Sequence, residues 1–225
     1  MNASTENPKA EISTAEQAYS EIQRRIVTGE IEAYALLSEN DLARRIGCGR
    51  TPVREALQRL KFEGFVDVLP RRGIMVTPVD VNRQLELLET RRPLEEMMVS
   101  LAATRADESQ RAEMLRLADD LEAAIAEKDR GRYLEINSDI HRIEAAAAGN
   151  RYLAAHIQMV HGLSRRFWYS FITETDRFSK AAVHHARVLR AISNGEPEMA
   201  VQEARALLDL LEEVSKLAIL GRLNK

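Results

Sequence analysis

Apolar residues at Ala15, Ala18, Tyr19, Ile22, Ile26 and Val27 recur at helical spacing and stop short of Gly29, which predicts an amphipathic first helix with a glycine cap. A second stripe, Leu42 and Ile46, follows Ser38. That serine suits an N-cap, Asp41 three residues on gives a capping box with a shorter acid, and Gly47 ends the segment. A third helix opens at Arg50-Thr51-Pro52, where proline fits the first turn. It buries Val53, Ala56, Leu57 and Leu60 and closes at Gly64. The period then changes: Phe65 to Leu69 and Ile74 to Thr77 are β-rich runs separated by Pro70-Arg71-Arg72-Gly73, the pattern of a hairpin with a basic tip.

Two short helices separated by Gly47-Cys48-Gly49 have the spacing of a helix-turn-helix, and a hairpin after it makes a winged helix. The third helix is then the element for a DNA major groove, and the wing tip the element for the backbone or minor groove. From Val81 onward the stripes keep a period of 3.6 and predict six helices, at 81–106, 109–128, 130–148, 151–173, 176–194 and 197–221, with Pro93 as a kink in the first. The expected fold is mainly α. It divides into a disordered tail at 1–12, a winged helix-turn-helix at 13–78 and an all-helical domain at 79–225, joined at Pro78-Val79-Asp80.

Composition agrees with two globular cores, since 225 residues with 45% apolar and 30% charged side chains fit neither disorder nor a membrane protein. No run approaches the ~20 apolar residues of a membrane span, and the N-terminal stretch lacks the apolar core of a signal peptide, so a cytoplasmic protein is expected. The single cysteine, Cys48, cannot form an internal disulfide and is read as packing. A net charge of −3 argues mildly against nucleic acid as a partner, yet from Arg44 to Arg72 eight basic side chains face three acidic ones. That local excess is either a DNA-facing patch or an ordinary solvated helix face.

The stretch from Ile22 to Val76 resembles the DNA-binding half of the GntR family of regulators. It carries that family's pattern at Gly29, Leu37, Glu39, Leu42, Ala43, Gly47, Arg50, Pro52, Val53, Arg54, Ala56, Leu57, Leu60, Gly64 and Gly73. The resemblance implies that Arg50, Thr51 and Arg54 contact double-stranded operator DNA, with Arg72 and Gly73 at the wing tip; guanidinium chemistry suits both guanine edges and phosphates. The competing role for Arg54 is a salt bridge with Glu55 or with neighbours on the Gln58 side. Arg44, Arg45 and Arg59 are lesser candidates for DNA contact. Asn40 stands where the family often has arginine, Gly49 where it often has serine, and Ala33-Tyr34 where Pro-Gly is frequent, which leaves the operator sequence open.

The helical remainder resembles the FCD effector domain of the FadR-like branch. Arg91-Arg92-Pro93-Leu94-Glu95 is similar to its Arg-x-x-Leu-Glu opening, and Asn137-x-x-x-His141 before Gly149-Asn150 is similar to its metal-binding helix; His185 matches a further histidine. In metal-binding members an Asp or Asn and three histidines hold a divalent metal, such as zinc or nickel, beside a carboxylate. Here Leu207 occupies the place of the last histidine. The remaining Asn137, His141 and His185 would hold a cation weakly, or, with Arg91 as counter-charge, would bind an anionic effector directly. Outside the resemblance, an inward histidine is ordinarily a hydrogen-bonded core residue, and Arg91 can simply pair with Glu95. His156, His161 and His184 are read as surface or helix-edge residues, and Phe167, Trp168, Tyr169 and Phe171 as core or dimer packing.

The expected function is a homodimeric, ligand-responsive regulator, a repressor released from a pseudo-palindromic operator by a small organic acid. Alternatives are a helical domain that only dimerises, or a divalent-metal sensor. An enzyme is not expected, because paired Glu-x-x-His motifs, a nucleophile elbow and a phosphate-binding glycine loop are all missing from the sequence.

Overall fold

The computed structural model describes residues 14–171 and 175–220; the expected tail at 1–12 and the helix ends expected at 173 and 221 lie outside them. The chain divides into two compact units between Pro78 and Val79. No helix among the described residues is long and apolar enough to cross a membrane.

The first unit holds α1 (Thr14–Val27), β1 (Leu36–Leu37), α2 (Glu39–Ile46), α3 (Arg50–Phe62), β2 (Val66–Leu69) and β3 (Gly73–Val76). Ser38 caps α2 by accepting from the Asp41 amide at 3.4 Å, and Gly47 leaves the helix with φ 68°, a left-handed turn that glycine adopts without a Cβ clash. The core is built from the expected stripes: Ile22, Val53, Leu60 and Phe65 are fully enclosed. β2 and β3 pair antiparallel with Val66 opposite Val76 and Leu69 opposite Gly73.

A third strand, β1, lies on the other side of β3, with Leu36 opposite Met75. Two residues carry too little alternation to be read as a strand from sequence. Ahead of it Tyr34 sits at φ 66°, in the left-handed region that a bulky side chain rarely occupies. This is where the family often has glycine, and the Tyr34 amide is held there by donating to the Val76 carbonyl at 2.9 Å.

The second unit comprises α4 (Val81–Arg105), α5 (Glu108–Glu127), α6 (Arg130–Ala147), α7 (Arg151–Phe171), α8 (Thr175–Asn194) and α9 (Pro197–Ile219). α4 runs as one continuous helix through Pro93. α4 packs on α9, α5 on α8, and α8 on α9, around a core in which Met98, Met114, Leu121, Ile140, Ile157 and Leu189 are fully buried. Burying each such side chain contributes ~1.5–3 kcal/mol. Arg111 ties helix ends together: its guanidinium donates to the carbonyls of Ala103, Ala106, Ile192 and Ser193 at 2.8–3.0 Å, satisfying acceptors that helix C-termini leave open.

Candidate functional site

In the first unit, Gly49 opens α3 without a side-chain cap, so the helix begins directly with the exposed pair Arg50 and Thr51. Arg54 lies one turn further on the same face. It is not free: Arg54 Nε lies 3.3 Å from both oxygens of Glu39 and Nη2 lies 3.2 Å from Oε2. Its partner is thus an acid of α2, and its side chain remains 55% exposed. Arg72 and Gly73 are exposed at the turn of the wing, where Arg71 has φ 63° and the Arg72 amide donates to Leu69 O at 3.1 Å. Neither Arg50 nor Arg72 makes an ion pair among the described residues.

Arg59 has a different surrounding. Its guanidinium donates to Glu16 at 2.8 Å and Glu63 at 3.0 Å and lies 3.6 Å from the Tyr19 ring centroid. Tyr19 in turn donates to Glu63 at 2.7 Å. Arg59 therefore binds α3 to α1, while Arg44 pairs with Asp41 along α2.

In the second unit, Arg91, Asn137, His141 and His185 all line one cavity of about 320 Å³, open space included, together with Tyr133, Leu134, Ser164, Arg165, Trp168 and Leu211. Arg91 and Glu95 stand one turn apart on α4, both 3% exposed, with Arg91 Nε donating to Glu95 Oε2 at 2.8 Å. The simple pairing weighed for Arg91 is present, but it uses only part of the guanidinium. Nη1 donates to Ser164 at 3.1 Å, and Nη2 is buried without a partner among the described residues. Asn137 and His185 face each other, with 2.9 Å between Nδ2 and Nε2.

His161 corrects the expectation of a surface or helix-edge residue. It is 3% exposed, lies 2.7 Å from Glu95 through Nε2 and stacks on His141 with ring centroids 3.6 Å apart. Its place was readable in the stripe Leu153, Ile157, Val160, Phe167, all buried, because His161, Ser164 and Trp168 continue that face at helical spacing. Glu144 is a second residue not singled out: it is 1% exposed, with Oε2 3.5 Å from His141 Nδ1, and neither atom finds a hydrogen bond among the described residues. His156 is exposed and His184 is half-buried against Glu203 at 3.0 Å, as expected. Of the aromatic group, Phe167 is core, stacked 5.0 Å from Phe171, whereas Trp168 borders the cavity.

Burial sets the ionisation here. It presses His185 down to about 3, lowers His141 and His161 as well, and, together with the Glu95 charge, pushes Glu144 well above the carboxylate range. Burial also acts to raise Glu95, but the Arg91 charge and the hydrogen bonds from His161 and Arg91 outweigh it and keep that carboxylate ionised. As an ionised acceptor, Glu95 requires the proton of His161 on Nε2.

Glu95, His141 and His161 each offer a ligand atom within 4.8 Å of the other two, a spacing compatible with a cation. Their orientation is not. Two imidazoles stacked at an interplanar angle of 24° cannot both aim an in-plane lone pair at one ion, and Glu95 Oε2 already accepts from Arg91 and His161. Leu207 is buried in the core and brings no donor. As arranged, these residues do not fit a bound metal.

A winged helix followed by a helical unit with a buried polar cavity is the build of a one-component transcription regulator. The chain belongs to the GntR family of bacterial regulatory proteins with an FCD domain: residues 14–76 match "Bacterial regulatory proteins, gntR family" and residues 86–210 match the FCD domain. It is 24% identical over 191 residues to the "Uncharacterized HTH-type transcriptional regulator YdhC" of Bacillus subtilis (strain 168), covering 84% of this chain and 85% of that one. It is 27% identical to the "HTH-type transcriptional repressor GlaR" of Escherichia coli (strain K12), over 72% and 76% of the two chains. The solved structure of E. coli McbR/YncC superposes with a TM-score of 0.74 at 22% identity, covering 95% of this chain and all of that one, a likeness of fold. These relatives are regulators of transcription, not enzymes.

Proposed function

We propose that the chain is a homodimeric cytoplasmic repressor that releases a pseudo-palindromic operator when a small organic acid enters the cavity of its helical unit. One observation carries the effector reading. Arg91, Asn137, His141 and His185 come from three different helices and border a single cavity, and Arg91 Nη2 is a buried cationic donor without a partner among the described residues. Such an atom favours an anionic ligand. The DNA reading is supported by the exposure of Arg50, Thr51 and Arg54 on the leading turns of α3 and of Arg72 on the wing. The similarity to the repressor GlaR supports repression over activation.

The test is a gel shift with DNA flanking the protein's own gene, repeated across a panel of short organic acids. The expected result is operator binding by the free protein and release by at least one acid. His185→Gln should bind the operator normally without acid and respond to it less. Operator binding that no acid changes, in wild type as in variant, would leave the helical unit a dimerisation module.

The alternative of a zinc or nickel sensor has only the grouping of Glu95, His141 and His161 behind it, and the stacked imidazoles would have to reorient to hold an ion. Equilibrium dialysis of chelator-treated protein against either ion decides it: stoichiometric uptake supports the sensor, and its absence removes it.

A further inference from the structure

Two residues that line the cavity each carry a buried donor without a partner among the described residues, Arg91 Nη2 and Trp168 Nε1. Both groups are donor-only: a guanidinium and an indole N–H cannot accept a hydrogen bond under any tautomer or rotation. Whatever completes them must present one acceptor to each. Trp168 is 6% exposed and Arg91 3%, so bulk water is no substitute partner.

The two donors are spaced by α7. Ser164 accepts from Arg91 Nη1 at 3.1 Å, which fixes the guanidinium beside that residue. Trp168 stands one turn further along the same helix face, about 6 Å at 1.5 Å per residue. Its ring is fixed as well, edge-on to Phe178 with centroids 5.8 Å apart. The same cavity is also lined by Tyr133, Leu134 and Leu211, apolar surface suited to a short carbon chain.

We infer that Trp168 is an effector-selecting residue, its indole N–H donating to a second oxygen acceptor of a short-chain carboxylate whose acid group is held by Arg91. This deepens the proposed acid-responsive reading and rests on it. It narrows the ligand from any small acid to one with a carbonyl, amide or carboxylate oxygen a few bonds from its carboxylate. A simple alkyl acid of equal length would leave Trp168 unpaired, and a buried unpaired donor weakens binding.

The test uses three probes of one chain length: succinate and succinamate, which carry a second acceptor with and without charge, and butyrate, which carries none. Trp168 is the sole tryptophan of the chain, so its emission reports on this contact directly, and thermal shift gives affinities for variants without it. In chelator-treated wild-type protein, succinamate and succinate should shift the emission and bind about tenfold more tightly than butyrate. In Trp168→Phe, which keeps a ring against Phe178, that preference should collapse while butyrate binding is retained.

A preference unchanged in Trp168→Phe, or equal binding of all three probes to wild type, would overturn the role of Trp168 and leave an acid effector intact. No binding of any probe at tens of millimolar would overturn the class named here; the acid panel in the operator assay then decides the broader reading separately.

Discussion

The guanidinium of Arg54 on α3 lies against the carboxylate of Glu39 on α2, with 3.2 Å between Nη2 and Oε2. The pair is half-exposed, and exposed pairs contribute only about 0–1 kcal/mol. Glu39 therefore orients Arg54 more than it occupies it, and a phosphate or guanine edge can replace it at little cost. Arg54→Ala should weaken operator binding by about 1–3 kcal/mol and leave the melting temperature nearly unchanged. Fluorescence anisotropy with operator DNA checks the first and calorimetry the second; undiminished affinity would remove Arg54 from the DNA contacts.

Arg59, five residues on, should behave in the opposite way. Its partners are Glu16, the buried Glu63 and the Tyr19 ring, and removing it leaves Glu63, 7% exposed, without a cationic partner. Arg59→Ala is expected to destabilise the winged helix by about 1–3 kcal/mol, with operator affinity of the folded protein preserved. Denaturant unfolding and anisotropy on the same sample separate the two effects.

The contrast between Arg54 and Arg59 marks how far sequence reading reaches. Stripes and caps define helices because burial and capping are local: Ser38 and Gly47 bound α2 as its sequence implies. Which arginine a fold absorbs depends on residues 43 positions away, as with Glu16 and Arg59, and no local pattern encodes that. The same holds in the helical unit. Arg91, Asn137, His141 and His185 were legible because they lie in motifs. His161, Glu144 and Trp168 belong to the same polar interior but take their meaning from α4, α6 and α7 packing together. A polar residue on an apolar stripe was the available signal, and His161 carried it.

Glu144 is expected to reduce stability at neutral pH. Burial and the Glu95 charge raise its folded-state pKa, so above about pH 4.5 the unfolded chain releases a proton that the folded chain keeps. Stability from this group then falls as pH rises through that window. Glu144→Gln keeps the shape and removes the ionisation. The variant should melt several degrees higher than wild type at pH 7–8, with the difference shrinking toward pH 4.5. A melting temperature at or below that of wild type throughout would mean that Glu144 has a polar partner in solution.

His185 acts on stability in the same range with the opposite sign. Burial lowers it from 6.5 to about 3 in the folded protein, so below pH 6.5 the unfolded chain takes up a proton that the folded chain refuses. This contribution is present above pH 6.5 and is lost as pH falls toward 3. At about 1.4 kcal/mol per pKa unit, acidification from pH 7 to 5 should cost about 2 kcal/mol through His185, with His141 and His161 adding in the same direction. In wild type the Glu144 contribution offsets part of this, which is why the Glu144→Gln background is the one to measure. There, adding His185→Gln should flatten the fall in stability between pH 7 and 5, read by urea unfolding at each pH. An unaltered slope would place His185 in contact with solvent rather than sealed against Asn137.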